Sequence, residues 1–229
     1  MSPHRRFLLR NIGPFRHPSA FLLGAQLLSL ILYAVFDRAQ NGRVLLGAAG
    51  VLVLVMTVWV VYRSSTVNWI AWVLGAPALL LLIGSELSNN AALLVWAALL
   101  EAILYFYAAV SLIVYMMDDT RVTTDELFAA GATFTLLAWG FTYLYIVCQA
   151  WVPGSFSGTT HPGQAWSLIE LMSLSFANLS ATGLSDIVPV SAPARVLAML
   201  EQFSGIIYLA MVVSRLIGMS MTGHGRKQA

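Results

Sequence analysis

The sequence predicts an all-α membrane protein with six transmembrane helices and one short re-entrant helix between the last two. Composition is the first observation: 59% of the 229 residues are hydrophobic and only 10% are charged. A soluble domain of this length could not bury so much apolar surface. The second is the presence of apolar stretches long enough for a hydrocarbon core of about 30 Å, which takes about 20 helical residues. They fall near 20–36, 44–62, 67–85, 91–115, 127–150 and 194–219.

The basic residues predict the orientation. With an even number of spans both termini lie on the same side, and that side carries nine of the 12 Lys and Arg residues. These are Arg5, Arg6, Arg10, Arg16, Arg63, Arg121, Arg215, Arg226 and Lys227, against Arg38, Arg43 and Arg195 on the other side. The positive-inside rule therefore predicts a cell-membrane protein with both termini in the cytoplasm. These flanks account for the net charge of +2, so no nucleic-acid partner is expected.

The Cys, His and Lys residues argue against several kinds of cofactor chemistry. Cys148 is alone and lies in an apolar span, so one chain can form neither a disulfide nor a cysteine metal cluster. The four histidines lie outside the predicted spans, which argues against haem ligation in the bundle. The single lysine, Lys227, is in the tail, where it cannot form a retinal Schiff base at mid-membrane. We expect no cofactor and no enzymatic activity.

The first four spans predict a packing module over 19–116, after a basic cytoplasmic segment at 1–18. The fourth span lacks the regularly spaced basic residues of a voltage sensor, and its one charged residue is Glu101. A carboxylate at mid-span costs about 2.5–3.5 kcal/mol, so we expect Glu101 to face the bundle. A structural hydrogen bond and a role in an ion or proton pathway both remain open.

A polar linker at 117–126 separates this module from the rest. Thr123 or Thr124 can cap the fifth helix, and Asp125 and Glu126 then lie in its first turn, where carboxylates complement the helix dipole. A helix start accounts for these residues, so they are assigned no ligand role.

The last module is predicted over 127–219, followed by a short cytoplasmic tail at 220–229. After the fifth span, a loop rich in Gly, Pro and Ser is expected on the outer side. The apolar run that follows it, ending near Ser180, has only about 17 residues, too few to cross and return. A re-entrant helix is therefore predicted, because non-helical backbone at membrane depth is tolerated where it lines a water-filled cavity.

The order of short helix, Thr-Gly loop and apolar helix resembles the pore module of the potassium-channel superfamily. Ser180-Ala181-Thr182-Gly183-Leu184-Ser185-Asp186 stands where that family has Thr-Thr-Val-Gly-Tyr-Gly-Asp. The resemblance implies a homotetramer in the lipid bilayer whose filter loops, residues 181–185, direct backbone oxygens at passing monovalent cations. Thr182 and Gly183 would hold potassium or sodium ions, and Asp186 would form an outer ring of carboxylates that concentrates cations.

Three departures from the family pattern leave the ion preference open. Leu184 stands in place of tyrosine, Ser185 in place of the second glycine, and Ala181 in place of the threonine that helps form the innermost site. A potassium channel is the first interpretation, and a weakly selective sodium and potassium channel is the second. From other classes, a non-conducting scaffold subunit with a degenerate filter remains an alternative, whereas a secondary transporter would show internal repeats, which the sequence lacks.

Three further positions outside the filter are candidate functional residues. Gly205 lies nineteen residues after Asp186, where the family often has its gating hinge, and close helix packing is the alternative explanation for a glycine. Glu170 and Glu201 are predicted, like Glu101, to be buried carboxylates. The two could form a protonated or hydrogen-bonded pair behind the filter.

Overall fold

The computed structural model describes residues 18–36, 55–57, 68–88, 90–118, 124–158 and 165–225. The described chain is almost entirely helical. Its elements are α1 (Pro18–Phe36), α2 (Asn68–Ser88), α3 (Ala91–Asp118), α4 (Thr124–Trp151), β1 (Phe156–Ser157), α5 (Leu168–Leu179), β2 (Val188–Pro189) and α6 (Ala192–Gly225).

Three of the described helices are long and apolar enough to cross a membrane. Their apolar segments are Ala92–Met117, Thr124–Trp151 and Ala192–Arg215. Shorter apolar helices occupy Ser19–Tyr33, Trp69–Ser85 and Leu168–Leu179. The predicted second span at 44–62 lies outside the described residues except for a helical stretch at 55–57.

The helix ends differ by a few residues from the predicted boundaries. α3 runs to Asp118 and α4 begins at Thr124, so the predicted linker 117–126 is helical at both ends. α6 begins at Ala192 and continues to Gly225, into the segment predicted as a tail. Hydropathy marks only where the chain is apolar. A helix can continue beyond that stretch, because flanking polar residues also adopt helical backbone.

α4 is the central helix of the described structure. It contacts α1, α3, α5 and α6, and α2 packs against α3. Small residues permit this close packing: the Phe106 ring lies 3.1 Å from the place where a Cβ would stand on Gly140. As a result, α4 carries buried residues on all of its faces rather than on one stripe.

An aromatic cluster, formed by Tyr33, Tyr105, Trp139 and Tyr143, joins α1, α3 and α4 next to Glu101. The ring centroids of Trp139 lie 5.9 Å from those of Tyr33, 6.2 Å from Tyr105 and 6.1 Å from Tyr143. Glu101 is 5% exposed, and Tyr143 hydrogen-bonds its carboxyl group. Glu101 thus faces the bundle, as expected because a carboxylate in lipid is costly. Its hydrogen bond with Tyr143 is consistent with a structural role.

Polar contacts join the C-terminal end of α4 to the start of α5. The side-chain amide of Gln149 both accepts from the Trp166 backbone N–H and donates to the Trp166 carbonyl, each at 3.0 Å. Beyond it, β1 and β2 form a short antiparallel pair with Phe156 opposite Pro189 and Ser157 opposite Val188. The strand pair holds the two ends of the 158–187 segment close together.

Candidate functional site

The site begins with α5, a short helix whose sequence provides its own start signal. Ser167 and Glu170 form a capping box, in which the Ser167 N–H donates to Glu170 Oε2 at 2.8 Å and the Glu170 N–H donates to Ser167 Oγ at 3.4 Å. The helix ends at Leu179, with Ser180 as its C-cap. Its 12 residues span about 18 Å, well below the thickness of a hydrocarbon core.

This geometry corrects the prediction for Glu170. Its side chain is half-buried rather than buried, and its carboxylate binds the N-cap of its own helix. Glu201 has a different set of partners, so the structure does not join the two carboxylates behind the loop. The reason is local: a glutamate three residues after a serine N-cap satisfies a backbone N–H that would otherwise lack a partner.

The 180–186 loop turns sharply at the end of α5. Ala181 and Gly183 both have left-handed backbone, with φ of 56° and 65°. The Thr182 and Gly183 N–H groups both donate to the Ala177 carbonyl at 3.1 Å, and the Ala181 N–H donates to Asn178 at 3.0 Å. For alanine this conformation costs about 1–2 kcal/mol, whereas glycine adopts it freely.

The predicted filter residues are largely exposed in the single chain. Leu184 is 84% exposed, and Thr182, Gly183 and Asp186 are exposed as well. A Cβ on Gly183 would meet nothing within 4 Å. The loop then returns to the core, where the Ile187 N–H donates to Ser185 Oγ at 3.1 Å and the Ile187 side chain is buried. The tip of the loop thus projects from a fixed base.

A buried polar network, consisting of Glu201, Tyr145, Ser175 and Asn178, lies behind this base. The Tyr145 hydroxyl donates to Glu201 Oε2 and the Ser175 hydroxyl donates to Glu201 Oε1. The Asn178 amide donates to Tyr145 Oη at 3.1 Å and to Glu201 Oε2 at 3.3 Å. One carboxyl group therefore connects α4, α5 and α6.

Gly205 lies where α6 crosses the end of α5. A Cβ at this position would overlap the carbonyl oxygen of Leu179 and would lie 2.8 Å from its carbonyl carbon. This approach between two backbones explains the glycine by packing. The role of Gly205 as a hinge stays a prediction.

At the opposite end of α4, acidic residues have roles that the sequence did not suggest. Asp125 accepts from the Ser19 N–H at 3.2 Å and from its hydroxyl at 3.0 Å. Glu126 forms an ion pair with Arg215 of α6 at 3.3 Å. Their assignment to a helix start alone was therefore incomplete, because both also join α4 to other helices.

Sequence reasoning also missed Tyr145, Ser175, Asn178 and the exposed Gln202, which donates to Asn178 Oδ1 at 3.2 Å. The available signal was the i, i+3 spacing of Ser175 and Asn178, which puts two polar side chains on one face of an apolar helix. Within the described residues, no group of three or more His, Cys, Asp or Glu side chains could hold a metal ion.

These features define a helical protein of the membrane type, in which a short helix and an exposed loop lie between two long apolar helices. Residues 131–221 match the family described as ion channel, so this part of the chain is similar to ion-channel domains. The predicted resemblance to the potassium-channel superfamily is thereby confirmed at the level of an ion channel. No curated protein and no solved structure matches the chain.

Proposed function

We propose that the protein is a passive channel for monovalent cations, most readily potassium. The observation that carries this proposal is the exposed loop at the C-terminal end of α5, inside the matched ion-channel domain. The full arrangement would be six spans in a cell membrane with both termini cytoplasmic, a four-helix module at 19–116 and a pore module at 127–219. In it, α5 enters the membrane without crossing, because it is too short to span.

Cation preference follows from backbone dipoles. The C-terminal end of a helix carries about half a negative charge, and α5 ends beside the loop. Thr182 and Gly183 would present carbonyl oxygens in place of the ion's hydration shell. Asp186, exposed just beyond them, would concentrate cations at the outer mouth. No bond is made or broken, so the chemistry requires neither a catalytic group nor a cofactor.

The functional unit would be a homotetramer. Only 22% of the apolar segment of α6 is buried within the single chain, against 67% of α4. Its exposed face carries large apolar side chains, among them Met199, Phe203, Ile206 and Val213. Four chains around one axis would cover part of this face and bring four 180–186 loops together.

Native mass spectrometry of the detergent-solubilised protein is expected to give four chains per particle, and a monomer would contradict the assembly.

The decisive experiment is cation flux into liposomes that contain the purified full-length protein. Potassium, sodium and a large impermeant cation are compared for the wild type, Gly183→Ala and Gly154→Ala. Both glycines have positive φ, 65° and 78°, and neither would meet an atom within 4 Å of a new Cβ. The backbone cost of alanine, about 1–2 kcal/mol, is therefore matched at the two sites.

Potassium flux is expected in the wild type and in Gly154→Ala, and we expect Gly183→Ala to reduce it by at least tenfold. Equal loss in both variants would mean that the effect comes from folding and not from the loop. Equal potassium and sodium flux in the wild type would establish the weakly selective channel, which Leu184 and Ser185 favour. Absence of flux from a correctly assembled tetramer would favour the scaffold subunit.

A further inference from the structure

The polar network behind the 180–186 loop connects directly to the loop backbone through Asn178. Its side-chain amide donates to Glu201 and Tyr145, and its side-chain oxygen accepts from Gln202. Its backbone carbonyl accepts the N–H of Ala181, the first residue with left-handed backbone. The same residue is thus held by α4 and α6 on one side and holds the loop on the other.

Glu201 is the centre of this network. It is 0% exposed, and both of its carboxyl oxygens accept hydrogen bonds. Oε1 accepts from Ser175, and Oε2 accepts from Tyr145 and Asn178. Ser175 lies one turn before Asn178, so Glu201 contacts α5 at two successive positions on one face. Two contacts on one face fix both the distance and the rotation of α5 relative to α6.

The rotation of α5 matters because the loop depends on the last turn of that helix. The Ala177 carbonyl accepts the N–H groups of Thr182 and Gly183, so a rotation of this turn would reorient the backbone at both residues. Selection between cations depends on the number and placement of carbonyl oxygens, and small displacements of positioned groups have large effects.

We propose that Glu201 is the positioning residue for the 180–186 loop, and that through Ser175 and Asn178 it sets the cation selectivity and the conductance of the pore. This inference rests on the proposed function. A buried acid that only joined helices would contribute to stability without affecting ion selection. The two roles can be separated because the chain offers a matched pair of tyrosines.

Tyr145 and Tyr208 are both buried and both connect α4 with α6. Tyr145 donates to Glu201, whereas Tyr208 donates to the Ala130 carbonyl at 2.5 Å, in the other half of the pore module. Tyr145→Phe and Tyr208→Phe each remove one buried hydroxyl and its hydrogen bond between the same two helices, and Tyr145→Phe also removes an acceptor of the Asn178 amide. A stability effect is therefore expected in both, and an effect on the loop only in Tyr145→Phe.

The test measures the potassium-to-sodium flux ratio and the flux per assembled channel in liposomes, together with the melting temperature of the full-length protein. Glu201→Ala is expected to change the ratio or the flux by about tenfold, which corresponds to about 1.4 kcal/mol. Tyr145→Phe is expected to change the flux ratio or the flux by about threefold. Tyr208→Phe is expected to leave the ratio and the flux unchanged, although its melting temperature should be similar to that of Tyr145→Phe. Glu201→Gln, which retains the shape and one acceptor, is expected to fall between Glu201→Ala and the wild type.

The outcomes that overturn the inference are distinct from those that overturn the proposed function. If the wild type conducts and the Glu201 and Tyr145 variants match it in ratio and flux, Glu201 has only a structural role. If Tyr145→Phe and Tyr208→Phe alter conduction equally, the effect is general and the inference also fails. If Glu201→Ala does not assemble, Glu201→Gln and Tyr145→Phe decide the question. If the assembled wild type carries no flux, the proposed function itself fails and this inference with it.

Discussion

Gly205→Ala is expected to lower the stability of the assembled protein by about 3 kcal/mol, the upper end of the usual cost of overpacking. The added methyl group would overlap the carbonyl oxygen of Leu179, and it would lie 2.9 Å from the Leu179 Cα. These atoms belong to the backbone at the end of α5, so no side chain can rotate to make room. For a chain of this length the melting temperature should fall by about 6–12 °C.

The matched control is Gly24→Ala in α1. Both are helical glycines, but a Cβ on Gly24 would meet nothing within 4 Å. Alanine has a higher helix propensity than glycine, so this variant should be as stable as the wild type or slightly more stable. Thermal unfolding in detergent measures both variants.

The same pair of variants distinguishes packing from a hinge. If Gly205 is needed for close approach, the substitution displaces Leu179 and hence the adjoining 180–186 loop, so stability and flux fall together. If Gly205 is needed for bending, Gly205→Ala should keep the wild-type melting temperature and change only the open probability. That second result would contradict the packing argument and favour the gating hinge.

Local patterns in the sequence were sufficient for the helical class and for the ion-channel domain. Long apolar stretches predict α3, α4 and α6, and the Thr-Gly loop after a short apolar run indicates the pore module. The capping box of Ser167 and Glu170 was also readable, because Ser-x-x-Glu before an apolar run is a local motif. The prediction that Glu170 is a buried carboxylate paired with Glu201 was wrong, because it considered the charge of Glu170 and not its position three residues after Ser167.

The polar network around Glu201 could not be predicted in the same way. Glu201 is 56 residues from Tyr145 and 26 from Ser175, so their meeting depends on how three helices pack. Hydropathy gives the length of an apolar helix but not its rotation, and helices that are apolar on most faces leave that rotation undetermined. The sequence therefore predicted a buried Glu201 but could not supply its partners.

The same limit applies to the ion pair of Glu126 and Arg215. Both residues lie at predicted cytoplasmic ends, one at the start of α4 and the other in the last turns of the predicted final span. That coincidence of depth makes a contact feasible, but depth alone does not say which helices are neighbours. The structure adds the missing information by packing α6 against α4.

Trp139→Ala is the second large effect that we expect, with a loss of about 3–5 kcal/mol, as for other buried aromatic residues. Trp139 is fully buried at the centre of the aromatic cluster, and its ring contacts side chains from both α1 and α3. Removing the indole leaves a cavity where these two helices meet α4. The expected result is a lower melting temperature together with weaker attachment of α1 and α3 to α4.

Trp72→Ala serves as the control, because Trp72 is 60% exposed on α2 and its removal leaves no enclosed cavity.

Trp139→Phe refines the test. Within the described structure the Trp139 indole N–H has no hydrogen-bond partner, so its loss should not carry the penalty of a broken hydrogen bond. Trp139→Phe should therefore be milder than Trp139→Ala, because phenylalanine still fills part of the cavity. If Trp139→Ala melted at the temperature of Trp72→Ala, the aromatic cluster could not be what holds α1 and α3 on α4. Tight packing at this cluster would make α1 and α3 a rigid support for α4, which also carries Tyr145 and thereby reaches Glu201.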